Sequence, residues 1–93
     1  MTKIRVGVIG AAGRMGATVC QAVLNDPATS LELAVDENAV GDTIDNSEIE
    51  IQGDLSNVED ANVVVDFTVA DASRKTLPFL AARGIHAVVG TSG

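Results

Sequence analysis

Two kinds of hydrophobic pattern alternate along the chain. Short aliphatic runs closed by glycine or acid occur at Ile4-Arg5-Val6-Gly7-Val8-Ile9, Leu31-Glu32-Leu33-Ala34-Val35, Val63-Val64-Val65-Asp66-Phe67 and His86-Ala87-Val88-Val89. Runs this short, rich in valine and isoleucine, predict buried strands of a parallel sheet. After the first run, Met15, Val19, Ala22 and Val23 recur at helical spacing and predict a helix over Arg14–Asn25 with one apolar stripe. Asn25-Asp26-Pro27 ends it, because proline disfavours helix at the residue before it. A second helix is predicted over Ala70–Arg83, closed by Gly84 at a position that suits a left-handed residue. Pro78 falls inside that stretch, where proline costs about 3 kcal/mol, so a kink or a later start is expected.

The segment Asp36–Asp60 follows neither pattern. It is acidic, contains Gly41 and Gly53, and has only short apolar pieces such as Ile49-Glu50-Ile51. It predicts a loop holding no more than one edge strand, then a helical turn near Leu55–Glu59. Strand, glycine turn, helix and strand in succession form a βαβ unit, so the fold class is α/β, a parallel sheet flanked by helices with right-handed crossovers. Ligands of such sheets bind beyond the carboxyl ends of the strands. The polar punctuation falls at those ends: Gly10-Ala11-Ala12-Gly13, Asp36-Glu37, Phe67-Thr68 and Gly90-Thr91-Ser92-Gly93. All four are expected to face one crevice.

Gly10-Ala11-Ala12-Gly13-Arg14-Met15-Gly16 carries the sharpest chemical signal. The first turn of a helix has unpaired N–H groups and the positive end of the dipole, so it holds a phosphate without a basic side chain. Gly10 permits the tight turn, a glycine inside the loop lets a pyrophosphate approach the backbone, and Gly16 lets the helix pack closely on the sheet. The spacing is G-x-x-G-x-x-G, with Ala12 where the strict dinucleotide fingerprint has its second glycine. An acid at the end of the second strand completes the fingerprint, and Asp36 stands there to accept ribose hydroxyls. These features predict a Rossmann-type domain that binds a nicotinamide dinucleotide. A P-loop is excluded, since no Gly-Lys-Ser/Thr follows the glycines. Asp36 and Glu37 repel a 2′-phosphate and only Arg14 stands nearby to offset them, so charge favours NADH, with NADPH tolerated.

Composition narrows the partners. The chain has 93 residues, of which 46% are hydrophobic and 20% charged, and a net charge of −7. With 2% aromatic residues and no broad basic face, neither nucleic acid nor an anionic membrane surface is an expected partner. Eleven of the thirteen acids lie between Asp26 and Asp60, which reads as a solvated acidic surface. The one cysteine, Cys20, excludes an internal disulfide and a CxxC zinc site, and reads as core filler. His86 reads as a tolerated residue at the start of a buried strand, Met15 as both stripe and loop, and Asp66 as a strand-end cap or an orienter of the loop after it. No apolar run approaches the roughly 20 residues of a membrane span, and the start is a poor signal peptide, so a cytoplasmic protein is expected.

Three motifs taken together go further. Val6-Gly7-Val8-Ile9-Gly10-Ala11-Ala12-Gly13-Arg14-Met15-Gly16, Val65-Asp66-Phe67-Thr68 and Val88-Val89-Gly90-Thr91-Ser92-Gly93 resemble 4-hydroxy-tetrahydrodipicolinate reductases (dihydrodipicolinate reductases), in order and spacing. The resemblance implies reduction of 4-hydroxy-tetrahydrodipicolinate, a small dicarboxylate, to tetrahydrodipicolinate with NADH or NADPH in diaminopimelate and lysine biosynthesis. By that likeness Gly10, Ala11, Ala12, Gly13, Arg14 and Met15 cradle the pyrophosphate and Asp36 binds the adenosine ribose. Phe67 and Thr68 lie near the cofactor, and Gly90, Thr91 and Ser92 border the nicotinamide. Ser92 replaces the usual threonine and keeps its hydroxyl, while Glu37 stands where some members carry an arginine for the 2′-phosphate.

The family's His-His-x-x-Lys run and D-A-P-S-G-T segment do not occur in the sequence, so no catalytic residue is assigned. Residues 1–93 are therefore expected to be an incomplete dinucleotide-binding domain, truncated after its last strand and lacking the substrate domain. Such a piece would bind cofactor without turnover, and the whole enzyme would be a homotetramer. Two other readings stand beside this one: the nucleotide domain of another amino-acid dehydrogenase, and a nucleotide-sensing module without chemistry.

Overall fold

A computed structural model describes residues 3–68 and 70–90, and the side chains of all of these but 70–74. In chain order the elements are β1 (Ile4–Ile9), α1 (Arg14–Asn25), β2 (Thr29–Val35), β3 (Ile51–Gln52), a 3-10 turn (Val58–Asp60), β4 (Val63–Asp66), α2 (Ala70–Ala81) and β5 (His86–Val89). The strands form one sheet in the order β3-β2-β1-β4-β5, every neighbouring pair parallel. The chain thus builds outward from β1 to β3, crosses back, and builds outward on the other side from β4 to β5. That reversal between β1 and β4 is the switch point at which open α/β sheets leave a crevice. The α/β reading and the Rossmann-type parallel sheet are as expected.

The two faces of the sheet bury separate aliphatic layers. Val6, Val8, Leu31 and Ala34 pack with Cys20 and Val23 of α1. Ile9, Leu33, Val35 and Val64 pack on the other face with Leu80 of α2, Ile85 and Val58. Leu31 and Leu33 belong to opposite layers although they are two residues apart, where period-2 alternation would put both on one face. A register shift explains this: Val6 pairs with Leu31 and Gly7 with Leu33, so exposed Glu32 is an extra residue that turns the strand over.

Several boundaries differ from the sequence reading. β2 begins at Thr29 rather than Leu31, and β4 ends at Asp66, which puts Phe67 in the loop beyond the strand. In α1 the buried residues are Gly16, Cys20 and Val23, while Met15 is 59% exposed and Ala22 is exposed. The stripe expected from Met15, Val19 and Ala22 is therefore rotated by about one position. A glycine rather than a large side chain sets the closest contact with the sheet. β5 is an exposed edge strand along all four residues, which corrects the reading of His86 as the start of a buried one.

α2 runs from Ala70 through Pro78 without a later start. Pro78 is exposed, so its ring meets solvent rather than the sheet, and the lost hydrogen bond is confined to one helical turn. The helix then closes as a Schellman motif. Gly84 takes φ +69, Ile85 N–H donates to Leu80 O at 3.1 Å, and Gly84 N–H donates to Ala81 O at 3.1 Å. Leu80 and Ile85 are both buried and belong to the same layer, the apolar contact that accompanies this cap.

The acidic stretch after β2 folds back on α1. Thr43 and Glu50 form an antiparallel bridge, Ile44 is buried against α1, and Gln21 Nε2 donates to Asp45 O at 2.8 Å. The one edge strand allowed for is β3, a two-residue piece paired with Ala34 and Val35.

Burial raises the Cys20 thiol from its ordinary value of 9.0 to about 11. Below about pH 9 the folded and unfolded chains both keep this proton. Between about 9 and 11 only the unfolded chain releases it, so stability falls as pH rises through that window. Denaturant titrations at pH 8.5 and 10.5 are expected to differ more for the native chain than for Cys20→Ala, by on the order of 2 kcal/mol. An equal difference for both would remove Cys20 as the cause.

Candidate functional site: a crevice at the switch point

β1, β2 and β4 end side by side, and their following loops border a half-open cavity of about 410 Å³. Gly10 and Gly13 line it from the β1 loop, Asp36, Glu37 and Asn38 from the β2 loop, and Phe67 and Thr68 from the β4 loop. Ile9, Val35 and Gly53 complete the wall.

Backbone hydrogen bonds hold the glycine loop in its turn. Gly10 N–H and Ala11 N–H both donate to Val35 O, at 2.8 and 3.2 Å, which pins the loop to the end of β2. Gly10 takes φ +82, a conformation that disfavours a side chain, and Gly13 N–H donates back to its carbonyl at 3.2 Å. Gly16 meets this turn from the helix side. A Cβ there would lie 2.0 Å from Gly10 O and 2.8 Å from Gly10 C. Gly13 is different: its φ is −71, and an added Cβ would meet only Gly10 O, at 3.4 Å. Nothing among the described residues requires glycine at Gly13, which faces the cavity.

The helix that follows is left open for an anion. Gly13 is its N-cap and supplies no side-chain cap, and no acid stands in its first turn despite thirteen in the chain. Arg14 opens the helix, where the dipole disfavours a cation unless a negative charge is held in front of it.

Asp36 joins two of the three loops. Its Oδ2 accepts from Ala12 N–H at 2.9 Å and its Oδ1 from Asn38 N–H at 3.0 Å. Its own N–H donates to Gln52 O at 2.9 Å, so the carboxylate is fixed at the sheet end by β3. The acid at the end of the second strand therefore reaches the glycine loop directly.

On the other side, Asp66 is the last residue of β4 and fully buried. Its Oδ1 accepts from Thr68 N–H at 2.8 Å and Thr68 Oγ1–H at 2.6 Å, which fixes the turn carrying Phe67 and Thr68. Of the two readings of Asp66, the orienter of the following loop is the one observed. Phe67 N–H donates to Ile9 O at 2.9 Å, and its backbone lies 3.3 Å from where a Gly10 Cβ would be. Its ring covers Gly90, where a Cβ would come within 2.4 Å of Cε1.

Six of the residues singled out from sequence therefore meet at one place: Gly10, Gly13, Asp36, Phe67 and Thr68 line the cavity, and Ala12 is tied to it through Asp36. Ala11 is buried beneath the loop, Arg14 and Met15 are exposed on the first turn of α1, and Gly90 lies under the Phe67 ring. Thr91 and Ser92 fall outside the described residues. Asn38 and Gly53 also line the crevice and were not anticipated. Gly53 directly follows β3, a strand of two residues that carries too little periodicity to be read in advance.

Comparison with known proteins places this arrangement. The family model described as "Dihydrodipicolinate reductase, N-terminus" matches residues 4–93. The 4-hydroxy-tetrahydrodipicolinate reductase of Cutibacterium acnes is 41% identical over 90 residues, covering 97% of this chain and 31% of its own length. That of Beutenbergia cavernae is 43% identical over 90 residues, with 97% and 31% covered. The chain spans about a third of the length of these curated relatives. Among solved structures, a dipicolinate-bound dihydrodipicolinate reductase from Paenisporosarcina sp. TG-14 superposes with a TM-score of 0.81 at 22% identity, covering 99% of this chain and 38% of that one. An aspartate semialdehyde dehydrogenase from Vibrio cholerae superposes with a TM-score of 0.83 at 17% identity, covering 98% and 31%, a likeness of fold alone. The chain belongs to the dihydrodipicolinate reductase family, of which it carries the N-terminal part.

Proposed function

We propose that residues 1–93 are the dinucleotide-binding part of a reductase that converts 4-hydroxy-tetrahydrodipicolinate to tetrahydrodipicolinate in the cytoplasm, on the route to diaminopimelate and lysine. The observation that carries the binding role is the junction of the glycine loop, the Asp36 carboxylate and the Phe67-Thr68 turn around one cavity at the switch point. The family supplies the substrate and the reaction.

The residues fit a nicotinamide dinucleotide. Gly13 leaves a gap that, among the described residues, only Gly10 O borders, in front of a helix start with no acid and no side-chain cap. The loop from Gly10 to Met15 would hold the pyrophosphate there, with Asp36 accepting from the adenosine ribose hydroxyls. Phe67 and Thr68, and beyond them Gly90, Thr91 and Ser92, would border the nicotinamide. When bound, that ring supplies a hydride to the substrate. What this chain contributes is position: Asp66 fixes the turn that carries Phe67 and Thr68, and Asp36 fixes the glycine loop against the end of β2. Asp36 and Glu37, both at the cavity wall, disfavour a 2′-phosphate, so NADH is the preferred cofactor and NADPH the weaker one. The catalytic groups and the dicarboxylate site belong to the substrate domain of the whole enzyme, a homotetramer in this reading. No role with nucleic acid or membrane is proposed, and among the described residues no helix is long and apolar enough to cross a membrane.

Gly13→Ala tests the binding role, because the fold tolerates it and the ligand does not. The expected result is an unchanged unfolding midpoint with NADH binding weakened about tenfold, or ~1.4 kcal/mol, in a fluorescence titration. NADH affinity equal to that of the native protein would count against a pyrophosphate at this loop.

A further inference from the structure

At the opposite end of the sheet, where the strands begin, a second cavity of about 390 Å³ is lined by Arg5, Glu59, Asn62, Arg83, Ile85 and His86, among others. Along β1 it is separated from the switch-point crevice by the four steps from Arg5 to Ile9, roughly 13 Å at 3.3 Å per residue. It brings together two of the six Lys and Arg residues and the single histidine of an otherwise acidic chain.

The state of these cations is unusual. Arg5 Nε donates to Asn62 Oδ1 at 3.2 Å, and Arg5 N–H donates to the same oxygen at 3.2 Å. A neutral amide thus holds the guanidinium in place, with no carboxylate partner among the described residues. Arg83 is held in a comparable way: Nη1 donates to Phe79 O at 3.0 Å, and the guanidinium lies 3.6 Å from the centre of the Phe79 ring. Arg83 also forms an ion pair with Glu59, whose Oε1 lies 3.9 Å from Nε on a side chain 78% exposed, where solvent screens it. Among the described residues Arg5 has no carboxylate partner, and Arg83 has only this exposed, loosely held one. Two guanidinium groups, each oriented by a neutral acceptor and only one of them loosely paired with a carboxylate, have an imidazole and an amide beside them. Together they are a donor set matched to an oxyanion that can displace the exposed Glu59 side chain.

We propose that this cavity binds a small multiply charged oxyanion, a phosphate or a dicarboxylate, through Arg5, Arg83 and His86. The site is independent of the cofactor reading, since no residue is shared between the two cavities.

Titration of the 15N-labelled full chain with potassium phosphate, and separately with sodium succinate, tests this, with potassium chloride at matched ionic strength as control. The amide signals of Asn62, Gly84, Ile85 and His86 are expected to move and saturate with at least one of the two anions. The tighter of the two identifies the head group. Arg5→Gln and Arg83→Gln are each expected to weaken that binding at least fivefold. Should Arg83→Gln unfold the chain by losing the Phe79 stack, Arg5→Gln, which leaves that stack intact, carries the test. Shifts that chloride reproduces, shifts that fail to saturate with both anions, or an affinity unchanged in Arg5→Gln would each overturn the proposal.

Discussion

Replacing Gly16 with alanine is expected to lower the unfolding free energy by about 3 kcal/mol, at the upper end of what overpacking a core costs. The cause is local and rigid. The added methyl would lie 2.0 Å from the carbonyl oxygen of Gly10 and 2.9 Å from Ala11 Cα, and backbone atoms cannot rotate away as a side chain does. Gly10 is itself pinned to Val35 O at 2.8 Å, so relief requires α1 to move off the sheet. That movement would strip Cys20 and Val23 from the layer they form with Val8 and Ala34. For a domain of this size the melting midpoint should fall by more than about 10 °C. Gly13→Ala, three residues earlier, should leave the midpoint where it is. A Gly16→Ala chain as stable as the native one would mean that the helix does not sit on the glycine turn as described.

Asp36→Arg is the second large effect, and it should act on both cofactors at once. In the proposed reading the carboxylate accepts ribose hydroxyls, and hydrogen bonds to a charged group contribute about 1.5–3 kcal/mol. Their loss should weaken NADH binding by roughly tenfold to a hundredfold. An arginine at the same place pairs with a 2′-phosphate, so the NADPH-to-NADH affinity ratio should rise by about a hundredfold. NADPH binding itself should improve less than the ratio does. Two features hold it back: Ala12 N–H loses its acceptor at 2.9 Å, which loosens the glycine loop, and Glu37 still faces the cavity. Parallel titrations of the variant with both cofactors separate these contributions. A ratio unchanged from the native protein would remove Asp36 from ribose recognition.

The elements that sequence located best are those whose signal is local. β1 and α1 were bounded correctly because a run of aliphatic residues, three glycines and a proline mark their ends within the segment itself. Gly84 was correctly placed at the close of α2, since left-handed φ is a property of one residue. The apolar face of α1 was rotated because periodicity weighs side-chain size, whereas the contact with the sheet is made by Gly16, which has none. The place of β3 is not fixed by its own residues, since two residues have no period. Its strand character comes from Ala34 and Val35 alongside.

The site divides in the same way. Which residues line the crevice was largely legible: glycines before a helix, an acid after the second strand, and a Phe-Thr pair after the fourth. Their meeting depends on the strand order β3-β2-β1-β4-β5, which brings loops 57 residues apart, at Gly10 and Phe67, against one another. Asn38 and Gly53 enter the crevice only through that order, as do the donors to Asp36.

By itself, then, the sequence determined the class of fold, the glycine loop with its helix, and the kind of ligand such a loop accepts, because each follows from backbone freedom and charge within a short stretch. Tertiary structure alone decided three things: that Glu32 bulges so that Leu31 and Leu33 serve opposite layers, that Asp36 clamps Ala12, and that Arg5, Arg83 and His86 share a cavity. Each of these joins residues distant in the chain, and their relative position is set by sheet pairing and packing, which no local pattern records.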